Sequence, residues 1–133
     1  MKNLKLVLAF LITFLSLSFY AQNAVDSKST PKLTFEKSSY DWGTVKEGEL
    51  VEFDVEYTNT GKSDLVIESI EASCSCVTIK RNKNKAVKPG MKNSFHIVFD
   101  ATAKKDLQQH VISIISNTSR GNERFIIQGT VKK

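Results

Sequence analysis

Two cysteines are all that this 133-residue chain contains, and they stand one residue apart, at Cys74 and Cys76. A pair so close cannot bridge the sheets of an antibody-type sandwich, and two thiols make only half of a four-ligand zinc site. Neither lies near the N-terminus, which excludes a lipid-modified N-terminal cysteine. The six glycines form neither a dinucleotide fingerprint nor a glycine-rich phosphate loop. His96 and His110 are the only histidines; there is no His-Glu-x-x-His helix and no Gly-x-Ser-x-Gly elbow. An enzyme is therefore not expected, nor is a cofactor. Long apolar runs are missing beyond residue 20, so nothing in the remainder reads as a membrane-spanning helix.

What is present begins with an export signal. Lys2 and Lys5 precede an apolar stretch at residues 6–17, broken only by Thr13 and Ser16. Residues 1–21 read as a signal peptide, with cleavage after Ala21 or Ala24. Phe19 stands where a small residue is preferred, which leaves an uncleaved anchor as the alternative. The expected location is exported, in the periplasm or outside the cell, with no transmembrane anchor after cleavage. Residues 22–32 carry almost nothing apolar and read as a flexible leader, and residues 33–133 have the size of one domain. The net charge of +5 shrinks once Lys2 and Lys5 are removed, too weak a surplus to imply nucleic acid.

Val51, Phe53, Val55 and Tyr57 alternate with Glu52, Asp54 and Glu56, which puts four large side chains on one face of a strand and three carboxylates on the other. A charged solvent face explains those carboxylates better than acid/base work. Asn59-Thr60-Gly61-Lys62-Ser63-Asp64 then marks a turn in which Gly61 can adopt positive φ. Further strands are expected at residues 33–35, 65–70, 76–79, 95–99, 111–115 and 125–131, separated by turns at Pro89-Gly90, Ser116-Asn117 and Arg120-Gly121-Asn122. The fold class is all-β: an immunoglobulin-like antiparallel sandwich of about seven strands, with Trp42, Phe53, Phe95, Phe99 and Phe125 filling its core. His96 alternates with Phe95 and Ile97 and is expected to face solvent.

The ordered set Asp41-Trp42-Gly43-Thr44-Val45, Gly48, Asn59-Thr60-Gly61, Leu65-Val66-Ile67, Cys74-Ser75-Cys76, Pro89-Gly90, Ser116-Asn117 and Gly129 resembles an exported bacterial family with a Cys-x-Cys motif, known only as a domain of unknown function (DUF). Its relatives are Hydin-type and PapD-like immunoglobulin folds. The resemblance runs from about Phe35 to Val131 and implies an immunoglobulin-like sandwich with no assigned activity. The family usually has glycine between its cysteines and threonine after them, where this chain has Ser75 and Val77.

On a regular strand, Cys74 and Cys76 would share a face with Cα atoms about 6.6 Å apart. A disulfide between them then needs a bend or bulge. Three readings stand: small core residues or a local disulfide, a redox-active pair, and two ligands for a soft metal such as Cu(I) or Zn(II) that His96, His110 or Met91 would complete. Nothing in the sequence brings either histidine to the pair. Lys80, Arg81, Lys83, Lys85, Lys88 and Lys92 form an acid-free basic run that reads as a solvated loop or as a contact with an anionic surface. The run holds no aromatic residue on which bases could stack. The leading expectation is an exported, non-enzymatic binding or scaffolding module with partners among cell-envelope proteins or anionic surfaces. The alternative is a thiol redox or soft-metal carrier acting through Cys74 and Cys76.

Overall fold

The computed structural model describes residues 29–82 and 85–133; the signal peptide, residues 22–28 of the leader and Lys83 lie outside them. Eight strands follow in order: β1 (Leu33–Phe35), β2 (Ser39–Lys46), β3 (Leu50–Asn59), β4 (Ile67–Ala72), β5 (Val77–Lys80), β6 (Lys92–Asp100), β7 (Asp106–Ser116) and β8 (Asn122–Lys132). They form two four-stranded sheets, ordered β1-β3-β6-β5 and β2-β8-β7-β4. The chain is thus an all-β sandwich, as its alternation implies, with two differences in detail. Among the described residues there are eight strands rather than about seven, and the added strand, β2, runs parallel to β8 while the other ladders are antiparallel.

Strand β3 alternates without a break from Val51 to Asn59, its inward side chains buried and its carboxylates outside. Phe95, Ile97 and Phe99 of β6, Ile112 and Ile114 of β7, and Phe125, Ile127 and Val131 of β8 complete the interior. Each such side chain contributes about 1.5–3 kcal/mol through removal from water. Strand β2 lacks this pattern: most of its residues are exposed, and its register with β8 shifts between Asp41 and Thr44, around Gly43 at positive φ. Its anchor is Trp42, which is half-buried and stacked on Phe99 with ring centroids 4.6 Å apart. Gly129 of β8 lies directly beneath the indole, where a Cβ would overlap the ring.

Asn59 ends β3 fully buried, and its side chain is completely satisfied. Oδ1 accepts from the backbone N–H groups of Lys32 and Gly61, and Nδ2 donates to the carbonyls of Ser63 and Val87, the latter two at 2.8 Å. The last residues of the expected leader are accordingly held in place. Thr30 and Lys32 accept from the Lys62 and Thr60 amides, and Pro31 is buried. Gly61 does not use its freedom to take positive φ; it is needed because residues 30–32 cross it so closely that a Cβ would collide with their backbone.

Two outcomes follow from these contacts. Asn59→Ala leaves the Lys32 and Gly61 amides and the Ser63 carbonyl without that partner, while the Val87 carbonyl keeps the Leu65 amide, and is expected to cost about 3 kcal/mol, read from a denaturant midpoint. Gly129→Ala displaces Trp42, so it is expected to cost about 1–3 kcal/mol and to change the emission of the chain's only tryptophan; unchanged emission would show that the indole does not need the gap.

Candidate functional site

The two cysteines lie in the turn between β4 and β5 rather than on a strand. That turn supplies the bend that a regular strand lacks: the Cα atoms are 5.2 Å apart and the sulfurs are joined in a disulfide. Val77 N–H donates to the Cys74 carbonyl, closing the turn, and Cys76 N–H donates to Cys74 Sγ at 3.1 Å. Both flanks are pinned to the sheets. Ser73 exchanges hydrogen bonds with Val111 of β7, its amide donating to the Val111 carbonyl and its Oγ accepting from the Val111 amide. The Cys76 carbonyl accepts from the Asp100 amide at the end of β6.

This attachment brings His110 to the pair, a juxtaposition that sequence spacing did not reveal. His110 Nε2 is 3.8 Å from Cys76 Sγ, and one ligand atom from each of Cys74, Cys76 and His110 lies within 4.8 Å of the other two. All three residues are half-buried. Because a disulfide sulfur carries no proton, a hydrogen bond here runs from Nε2–H to Sγ. The imidazole tilts against Phe99, whose ring also stacks on the Trp42 indole. Burial first, and the Lys104 ammonium second, hold the His110 pKa below its ordinary 6.5, so the ring is neutral at pH 7.

The other proposed ligands lie elsewhere. His96 faces outward, as its alternation implies, and is shared by Asp54 at 2.9 Å and Glu52 at 3.6 Å. Met91 is 59% exposed and sits before the start of β6, at the end remote from Cys76 and Asp100. Within the basic run, Lys80, Lys85, Lys88 and Lys92 are exposed, Lys92 facing Glu36 at 3.4 Å. Arg81 differs: its guanidinium donates to the carbonyls of Ile67 and Glu68 at 3.2 and 2.7 Å, bracing the irregular start of β4. Between the edge strands β4 and β5 runs a groove of about 800 Å³. Val66, Ile67, Ile70 and Ile79 give it apolar walls, and Lys80, Arg81 and Lys85 a basic rim, with Glu68 the single acid among the described residues.

The depressed His110 pKa has a signed consequence for stability. The unfolded chain takes up this proton at higher pH than the folded one, so His110 favours folding fully above pH 6.5 and loses that contribution as pH falls below it. Denaturant midpoints of the wild type and His110→Gln, compared at pH 8 and pH 5, are expected to show the wild type losing more stability at the acid end. An equal loss in both would remove the histidine as the cause.

Comparison with known proteins gives fold and family without an activity. Similar solved structures include a protein of unknown function from Porphyromonas gingivalis, 21% identical at a TM-score of 0.67 over 83% of this chain and 51% of that one. The secreted serine protease VesC from Vibrio cholerae is 14% identical at 0.58, over 80% of this chain and 24% of that one. PapD-like domain 7 of human CEP192 is 14% identical at 0.58, over 79% of this chain and 87% of that one. The chain thus spans about half of the Porphyromonas protein and a quarter of the protease. These likenesses show a PapD-like, immunoglobulin-like sandwich. No protein of curated function matches the sequence. Residues 33–131 match the family described as "Protein of unknown function (DUF1573)", and the chain belongs to that family.

Proposed function

We propose that the chain is an exported, non-enzymatic binding module of the bacterial cell envelope, and that it binds through the groove between β4 and β5. The observation that carries this reading is the groove's composition, apolar along its walls and basic at its rim. Val66 is 43% exposed there, an apolar side chain facing water beside the edge strands of both sheets. Such a surface suits an extended segment of an envelope protein, its apolar side chains against Val66, Ile67, Ile70 and Ile79 and its acidic ones at Lys80 and Lys85. Arg81 already occupies the carbonyls of Ile67 and Glu68, which blunts the β4 edge at its start. The partner is therefore held there by side chains rather than by an added ladder. Export rests on the charged start and apolar run of residues 1–21.

A photo-crosslinker at Ser69, in the groove, is expected to capture a discrete envelope protein when the full chain is expressed in bacteria. Capture should fall several-fold in a Lys80→Glu, Lys85→Glu variant, and its crosslinked segment should be acidic. The same species captured from Glu52, on the outer face of the other sheet, would overturn the assignment. The intact mass of the captured chain, starting at Gln22 or Val25, tests export in the same sample. A chain that retains Met1 and stays in the cytoplasm would overturn that part.

A further inference from the structure

The groove leaves unused the chemistry at the opposite end of β5, where Cys74, Cys76 and His110 converge. We propose that the Cys74–Cys76 disulfide is a closed form of a metal site, and that reduction opens it to one copper(I) ion held by Cys74 Sγ, Cys76 Sγ and His110 Nε2. This inference is independent of how the groove is used.

The geometry favours three ligands on one ion. Metal bonds of about 2.3 Å to sulfur and about 2.0 Å to nitrogen require ligand atoms roughly 4 Å apart. The three here already lie within 4.8 Å, with Cys76 Sγ and His110 Nε2 at 3.8 Å. Breaking the sulfur–sulfur bond lets the two sulfurs part by rotation about their Cα–Cβ bonds, with no movement of the pinned backbone. The Ser73–Val111 and Asp100–Cys76 hydrogen bonds hold the turn against β7 and β6 in either state, so the ligands stay gathered. His110 reaches the pair from β7, a different element, which makes the cluster a product of tertiary structure rather than of one flexible loop.

The donor set selects the ion. Two thiolates and an imidazole are soft ligands that suit copper(I), and three-coordination satisfies that ion. Zinc(II) generally takes a fourth ligand, and among the described residues the cluster offers three. The complex carries one surplus negative charge, and the Lys104 ammonium close to His110 offsets it.

The redox step balances with a protein dithiol as reductant. Its two thiols supply two electrons and two protons; the Cys74–Cys76 bond breaks, the reductant becomes a disulfide, and both cysteines become thiols. Copper(I) then displaces the two thiol protons and takes the lone pair of a His110 tautomer protonated at Nδ1.

The test is anaerobic titration of the full mature chain with copper(I) against a colorimetric copper(I) chelator, before and after treatment with a thioredoxin-type dithiol. The reduced protein is expected to bind one equivalent and the oxidised protein none. X-ray absorption of the complex should show two sulfurs and one nitrogen. Cys74→Ser is expected to abolish binding, and His110→Gln to weaken it about 10–100-fold, with far-ultraviolet circular dichroism showing both variants folded. Affinity unchanged in His110→Gln, a disulfide that the dithiol leaves closed in the folded protein, or zinc(II) held more tightly than copper(I) would each overturn the proposal.

Discussion

The side-chain amide of Asn59 is where three otherwise separate stretches of backbone are fastened to the core. It has no contact with water, so each of its two donors and its acceptor oxygen must be matched inside the protein. The matches come from Lys32 before β1, Gly61 and Ser63 in the turn after β3, and Val87 in the loop after β5. The backbone of Asn59 adds bonds to Gly90 and Met91. Val87 in turn pairs with Leu65 in an isolated bridge, which carries the constraint to the residues that lead into β4. One buried amide therefore determines where β1 begins and where the basic loop returns to β6. Through the Leu65–Val87 bridge it is also linked to the segment that leads into β4.

The cystine corner at the other end of β6 follows the opposite principle. No single side chain organises it; two sheets each contribute one anchoring strand, and the turn between β4 and β5 spans them. Crossing from one sheet to the other is what bends the backbone between the thiols. The aromatic column of Trp42, Phe99 and His110 continues the corner across the sandwich. A neutral imidazole is the form that such surroundings favour, since apolar neighbours and a nearby ammonium both oppose its protonation.

Much of the sandwich was legible because the relevant signals are local. The alternation at Val51, Phe53, Val55 and Tyr57 reports its own burial, and His96 reports its exposure by standing between Phe95 and Ile97. Strand β2 was not legible, since a mostly exposed strand held by one indole has no period to detect. Gly61 and Gly129 were visible as motif positions, yet their purpose depends on which segment crosses them, residues 30–32 in one case and Trp42 in the other. The approach of His110 to Cys76 depends on register. Ala72 opposite Ile112 places Ser73 at Val111 and the cysteines beside the next residue along β7. Spacing along a chain carries no information about register between strands so far apart.

The parallel pairing of β2 with β8 bears on the order in which the chain can assemble. Every other ladder joins strands whose intervening chain is comparatively short, whereas Ser39 waits for Ile126 and Lys46 for Lys132. Closing so large a loop costs entropy before any contact rewards it, and contacts of this kind slow folding. A chain whose last strand has not yet emerged has no partner for its second, and Trp42 has no Gly129 to cover. Completion of the sandwich is thus tied to the synthesis of β8, and a product truncated before it lacks the ladder that holds β2.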